Sequence, residues 1–164
     1  MHAATALLTV VEQINHVLNQ FSPEEYRMPL PEYEGNSIGQ HFRHILEFFQ
    51  CLDKGAPDGL VDYAGRPRNL QFESDPRLAA AAFDAFADRL LELQPDAPMS
   101  VRAEFGSAER PDYASTVGRE LAFVYDHAIH HLAIIRIGLN GHFRHIQPPQ
   151  HLGVSPATVK FRAG

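Results

Sequence analysis

Four long segments with helical periodicity are the feature that most constrains the fold. In each of them apolar residues recur three and four positions apart, which places them on one face of an α-helix. The segments run over about residues 3–21, 37–55, 75–93 and 116–139, and Pro or Gly residues interrupt the chain between them. Helices of this length bury their apolar faces against one another. The sequence therefore predicts an all-α fold: a four-helix bundle with long connecting loops and an irregular C-terminal tail.

Capping signals indicate where two of the helices begin. Ser37 and Gln40 have the spacing of a capping box, in which each side chain accepts a hydrogen bond from the other residue's backbone N–H. Ser22 and Glu25 have the same spacing, and Pro23 stands at the first helical position. Together they predict a short turn of helix there. Between residues 94 and 115 the alternating "MSVRAEF" predicts one short extended segment.

The length and charge of the chain bound its class. The chain has 164 residues, 45% of them hydrophobic and 21% charged, as in ordinary globular proteins, and we expect a single domain over residues 1–164. The formal net charge is -6, and no basic cluster offsets it. A protein that binds duplex nucleic acid needs a positive surface to neutralise phosphates, so nucleic acid is not the expected partner.

Two further features concern the compartment. Cys51 is the only cysteine, which excludes a disulfide within the chain and a metal cage of several thiolates, in agreement with a reducing compartment. The first stretch, "MHAATALLTVVEQ", has no basic n-region, and Glu12 interrupts its apolar run. It has the form of neither a signal peptide nor a membrane span. We therefore expect a soluble cytoplasmic protein that does not bind membranes.

The fourth predicted helix carries three histidines within five positions, His127, His130 and His131. When each residue advances by about 100° around the helix axis, His127 and His131 lie inside the apolar arc and His130 lies beyond its edge. Buried imidazoles cost free energy unless a partner satisfies them. Two of them four residues apart have the spacing of neighbouring ligands of one cation. The alternative is a pair of core histidines bonded to other side chains or to water.

The second predicted helix supplies the candidates for a third ligand, His41 and His44. The helical wheel places His41 well within the apolar arc and His44 at its boundary, so periodicity alone slightly favours His41. Glu120 precedes His127 by two turns and is a candidate hydrogen-bond partner for it. Its alternative role is that of a first-turn glutamate that favours the helix dipole. Surface or structural roles are expected for the remaining histidines, His2, His16, His142, His145 and His151.

The stretches "SIGQHFRH" and "HAIHH" resemble the DinB-like superfamily of metalloenzymes, which includes the YfiT-like proteins, bacillithiol transferases and mycothiol-dependent maleylpyruvate isomerases. In that family a histidine on the second helix and a late H-x-x-x-H pair bind one divalent metal ion. The resemblance implies that His44, rather than His41, is the ligand from the second helix and that His127 and His131 are the pair. His41 then becomes a candidate hydrogen-bond partner of a ligand. The resemblance also implies a homodimer packed through helices.

Three neutral histidines would leave at least one coordination position open, as in catalytic zinc sites. A cation held in this way would acidify a bound water or thiol, so the ligands alone do not choose between hydrolysis and thiol transfer. We expect a metal-dependent hydrolase or low-molecular-weight-thiol transferase that acts on a small molecule, with zinc, nickel or iron as the metal. No catalytic residue beyond the ligands is assigned. The alternative is a non-catalytic binding or scaffolding bundle, with a structural metal or a metal-free histidine network.

The loop after the second predicted helix carries Tyr63, Arg66 and Arg68 near its middle. These residues could form a lid that meets an anionic substrate. Polar loops with arginines are common, so the alternative is an ordinary solvated loop.

Overall fold

Four long helices frame the molecule over residues 3–164, the part of the chain that the structure, a computed structural model, describes. In chain order the α-helices of this range are α1 (Ala3–Leu18), α2 (Pro23–Tyr26), α3 (Ile38–Gly55), α4 (Pro76–Leu90), α5 (Val117–His142) and α6 (Pro156–Arg162). Helix α1 packs against α4 and α5, and α3 packs against the same two helices. His2, with its expected surface role, lies outside the described residues.

The predicted capping boxes are present at the starts of α2 and α3. Ser22 pairs with Glu25, and Ser37 pairs with Gln40, in each case through both reciprocal hydrogen bonds. The side chain of Thr116 caps α5 by accepting from the backbone N–H of Arg119 at 3.2 Å. These bonds satisfy donors of the first helical turn that have no partner within the helix.

Helix α3 ends at Gly55 as predicted, whereas the other three long helices end at other residues than predicted. Helix α1 ends at Leu18 and α4 at Leu90, each about three residues earlier than the periodicity predicts. Helix α5 continues through Asn140 and Gly141, although this pair is a typical helix stop. Tertiary packing explains the extension, because the buried ring of Phe143 follows at once and lies edge-on against Phe21, with ring centres 5.4 Å apart.

The described chain is mostly helical, but it is not all-α as predicted, because it also contains a small sheet of three strands. Strand β1 (Leu60–Val61) pairs in parallel with β2 (Pro98–Arg102), which pairs antiparallel with β3 (Asp112–Thr116). The predicted extended segment corresponds to β2. Most residues of β3 are exposed, so this strand lacks the apolar alternation that would reveal it.

Short elements occupy several of the connecting segments. Turns of 3₁₀-helix lie at Pro31–Tyr33 and Leu70–Glu73. The C-terminal tail is not wholly irregular, because Ser155 caps the short helix α6 and Pro156 stands at its first position. Within residues 3–164, every helix is too short or too polar to cross a lipid bilayer.

The core lies between the long helices and aligns α3 with α5. Its largest fully buried side chains include Tyr26, Phe42, Phe49, Phe83 and Phe86. Tyr33 connects the segment before α3 to α5, since its hydroxyl donates to the carbonyl of Ile134 at 2.7 Å and accepts from the N–H of Gly138 at 3.1 Å. The histidine-bearing faces of α3 and α5 therefore meet.

Candidate metal centre

His44 on α3 meets His127 and His131 on α5. One ring nitrogen of each residue lies within 4.8 Å of a ring nitrogen of both others, and all three residues are half-buried. The ring centre of His44 lies 4.9 Å from that of His127 and 4.5 Å from that of His131. The structure thus brings together the three predicted residues in an arrangement that could hold a metal ion.

His41 lies beside this cluster rather than in it. Its Nδ1 lies 3.2 Å from the Nδ1 of His131, so one ring donates a hydrogen bond and the other accepts it. The ring of Tyr33 packs edge-on against His41, with centres 4.6 Å apart. If His131 gives its Nε2 to a cation, its Nδ1 keeps the proton and donates to His41. The arrangement therefore makes His41 a hydrogen-bond partner of a candidate ligand.

Burial holds the three rings neutral. It lowers the pKa of His44 and of His131 to about 3 in each case, and neighbouring imidazoles add to the effect. Burial likewise lowers the pKa of His127 to about 4, with His130 and Arg66 as further causes. A neutral imidazole presents a nitrogen lone pair, so at neutral pH the cluster need not lose protons before it binds a cation.

The burial and hydrogen bonding of the His127 Nε2 atom indicate whether the cluster fits a metal ion. This atom is buried, and it has no hydrogen-bond partner among residues 3–164. A buried polar atom without a partner costs about 1–3 kcal/mol. Phe48 covers the imidazole, with ring centres 4.0 Å apart and planes inclined by 16°. A divalent cation that accepts imidazole ligands, such as zinc, nickel or iron, would supply the absent partner, and the residues therefore fit such an ion.

Arg66 reaches the cluster from the loop after β1. Its Nη2 donates to the Nδ1 of His44 at 3.3 Å, and its Nη1 donates to the carbonyl of Tyr63 at 3.0 Å. The guanidinium also lies over the ring of Phe48, 5.2 Å from its centre. Arg68, the other arginine of the predicted lid, is exposed. Of the predicted lid, Arg66 contacts the cluster directly, and Tyr63 is buried behind Phe48.

Glu47 is a buried charged residue at the site that was not predicted from the sequence. Its side chain is 2% exposed, and its Oε1 accepts from Arg43 at 3.3 Å and from the N–H of Asn69 at 3.1 Å. Its Oε2 accepts from Arg66 at 3.2 Å. The available signal in the sequence is a charge directly before the buried pair "FF", in an otherwise apolar stretch of α3.

Glu120 lies in the first turn of α5, the position that its alternative role assumes, and it is fully buried. No hydrogen bond joins it to His127 within the described chain. Its Oε2 accepts from the hydroxyl of Tyr63 at 2.9 Å, and its Oε1 accepts from Ser115 at 2.6 Å. Burial and this carboxylate hold the pKa of Tyr63 well above its usual range. Glu120 is linked to His127 indirectly, because the Tyr63 ring stacks on Phe48, which covers the imidazole.

The other histidines of the described chain have surroundings of their own. His130 is exposed, as the helical wheel predicts. His142 and His145 lie against the carboxylates of Glu32 and Glu25, at 2.9 Å and 3.2 Å. The Nε2 of His16 donates to the carbonyl of Gln147 at 2.9 Å, and His151 is exposed.

Two cavities lie beside the cluster. One, of about 230 Å³, is lined by Asn36, Gln40, His41, Arg43, His44 and His131. The other, of about 330 Å³, has the rings of Phe48, Tyr63 and Phe123 among its walls, together with Arg66. A small molecule can therefore reach the histidines through the first cavity and Arg66 through the second.

Comparison with known proteins places these features in a family. No curated protein sequence matches the chain significantly. The family model of the DinB superfamily matches residues 6–135, which is most of the chain and contains the three clustered histidines together with His41. The chain belongs to the DinB superfamily.

Proposed function

We propose that the protein is a metal-dependent enzyme that binds one divalent cation through His44, His127 and His131 and acts on a small molecule. The observation that carries this proposal is the convergence of three neutral imidazoles, one of which has a buried nitrogen without a partner among residues 3–164. Zinc, nickel and iron all suit an imidazole donor set.

When bound, the cation supplies a Lewis acid with an open position, which lowers the pKa of a water or a thiol placed there. The remaining work falls to the residues of the chain. His41 orients His131 through the bond between their Nδ1 atoms. Phe48 fixes the plane of His127 by stacking and keeps water from that face.

Of the two reactions, low-molecular-weight-thiol transfer has the better support. Water is a much weaker acid than a thiol, so hydrolysis depends more than thiol transfer on a nearby group that takes a proton. The buried carboxylates are engaged: Glu47 accepts from two arginines, and Glu120 accepts from Tyr63, Ser115 and Arg119. A neutral His41 that accepts through Nδ1 carries its proton on Nε2. Neither ring nitrogen then has a free lone pair with which to take a proton from water.

A non-catalytic binding or scaffolding role is the second candidate, and one observation favours it. His44 and His131 already have protein partners, because Arg66 donates to the first and His41 shares a hydrogen bond with the second. Such contacts can satisfy a buried histidine network without a metal, or around a structural one. In the metal-free form of this role, chelators leave the free energy of unfolding unchanged.

We further propose that residues 1–164 form one domain of the DinB-like four-helix-bundle type. We expect it to be a cytoplasmic homodimer, as the family resemblance and the single cysteine suggest. The net charge of -6 supports a small-molecule partner rather than nucleic acid, and no membrane partner is expected.

Elemental analysis of untagged protein, purified without added metal, tests the metal site. About one equivalent of a divalent metal is expected in the wild type and much less in His127→Ala and His131→Ala, because three ligands hold it. His130→Ala is the matched control, since this exposed neighbour lies outside the cluster. Full occupancy in both cluster variants would contradict the assignment. Screens for thiol transfer and for hydrolysis then separate the two reactions.

A further inference from the structure

The contact between Arg66 and His44 has a defined direction. A guanidinium has only donors, so the 3.3 Å contact from Nη2 makes the Nδ1 of His44 an acceptor. An imidazole that accepts a hydrogen bond at Nδ1 has no proton on that atom and is therefore neutral. A neutral imidazole with an accepting Nδ1 carries its proton on Nε2.

This contact is incompatible with His44 as a ligand. If His44 gives Nδ1 to a cation, the lone pair that Arg66 uses is no longer available. If His44 binds the cation through Nε2, its proton moves to Nδ1. The Nδ1–H of His44 and the Nη2 group of Arg66 are then two donors that face each other without an acceptor. In both cases the Nη2 donor of Arg66 loses its acceptor. The bonds to Glu47 and to the Tyr63 carbonyl still hold the guanidinium beside the cluster.

Within residues 3–164, no carboxylate accepts a hydrogen bond from the Nη2 group of Arg66. The three histidines are neutral, so a bound divalent cation keeps its full charge. Glu47 already accepts from Arg43, Arg66 and the N–H of Asn69. Glu120 accepts from three other donors and lies behind Tyr63. A loaded site would therefore combine a cation and a guanidinium, which together attract an anion.

We propose, on the basis of the thiol-transfer function above, that the thiol substrate carries a carboxylate near its sulfur and that Arg66 binds this carboxylate. The donor is the Nη2 group that His44 releases. The cavity of about 330 Å³ lies next to Arg66, and the rings of Phe48, Tyr63 and Phe123 in its walls suit an apolar remainder of the same molecule. Arg66 thus determines substrate specificity by recognising an anion.

Two small thiols test this role with the full-length protein loaded with cobalt(II). Mercaptoacetate carries a carboxylate next to its thiol, whereas 2-mercaptoethanol carries a neutral hydroxyl. The sulfur-to-cobalt charge-transfer absorption reports the dissociation constant of each thiol without any turnover. The quantity compared is the ratio of the two constants in the wild type and in Arg66→Gln. Arg68→Gln is the matched control, since Arg68 is exposed on the same loop.

A charge-assisted hydrogen bond changes affinity by about tenfold or more, so the preference for mercaptoacetate should fall by about that factor in Arg66→Gln. It should be unchanged in Arg68→Gln. An equal ratio in the wild type and Arg66→Gln would overturn the role of Arg66 while leaving thiol binding intact. If neither thiol produces the absorption in the wild type, the proposed thiol-transfer function is overturned, and the proposed role of Arg66 with it.

Arg66 also pairs with the buried Glu47, so the helical circular dichroism of each variant must be measured first. If Arg66→Gln does not fold, Arg66→Lys takes its place, because lysine keeps a positive charge beside Glu47 but lacks the planar group whose Nε and Nη1 bonds aim Nη2 at the cluster. The same fall in the ratio is then expected, and an unchanged ratio would again overturn the proposal.

Discussion

Replacing Glu47 with Gln removes a buried charge that two guanidinium groups share. The side chain of Glu47 is 2% exposed, and those of Arg43 and Arg66 are 14% and 15% exposed. Its carboxylate accepts from both arginines and from the backbone N–H of Asn69, at 3.1–3.3 Å. A Gln side chain offers one acceptor oxygen, and its NH₂ group faces donors. At least one arginine therefore loses its hydrogen bond to residue 47, and both lose its negative charge.

The expected loss of stability follows from burial. Removing one partner of a buried ion pair costs about 3–5 kcal/mol, because the remaining charge stays buried without compensation. The amide oxygen keeps at least one of the three hydrogen bonds, and Arg43 retains Glu73 at 2.8 Å. We therefore expect the lower end, about 3 kcal/mol of unfolding free energy. For a chain of this length that loss lowers the melting temperature by roughly 6–12 °C.

Urea denaturation followed by circular dichroism measures this loss, with a chelator present so that metal binding does not contribute. Asp112→Asn is the matched control. Asp112 also pairs with an arginine through two hydrogen bonds, to Arg102, but the side chains are 41% and 38% exposed. Breaking such a pair costs less than about 1 kcal/mol. A loss in Glu47→Gln no larger than in this control would refute the reasoning from burial.

Three further predictions concern the cluster and its support. His41→Ala should weaken metal binding about 10- to 100-fold in a competition titration, because His131 loses its hydrogen-bond partner; an unchanged affinity would contradict that role. His127→Leu should raise the unfolding free energy in chelator by about 1 kcal/mol, since it removes a buried nitrogen without a partner in the described chain. A loss of stability instead would show that the nitrogen is satisfied. Gly138→Ala should lower the melting temperature, because an added Cβ would collide with the ring and hydroxyl of Tyr33. Combining it with Tyr33→Leu should relieve part of the loss, and full additivity would count against the collision.

The local signals of the sequence determined the helices and most of their starts. The box formed by Ser37 and Gln40 depends on four consecutive residues, so it can be predicted without the rest of the fold. The same holds for His127 and His131, because the helical period by itself places residues four apart on one face. The ring centres of this pair lie 4.6 Å apart in the structure.

Contacts between distant residues decided the parts that local signals missed. Leu60 pairs with Ser100 in the sheet, and no pattern within either short segment specifies a partner so far along the chain. Helix α5 passes its Gly141 stop signal because Phe143 packs against Phe21. Both cases reflect the same physical fact, that burial of side chains outweighs a weak local preference.

The candidate metal centre likewise depends in part on local signals and in part on contacts between distant residues. By itself the sequence determined that two helices carry histidines on their inward faces. The family resemblance selected His44 over His41. Only the tertiary structure decided how α3 is rotated against α5, and this rotation puts His44 into the cluster and His41 beside it. The approach of Arg66 and the burial of Glu47 also depend on the path of a loop that returns to α3. A helical wheel describes one helix, whereas a site between helices depends on their relative rotation and on the loops that cover them.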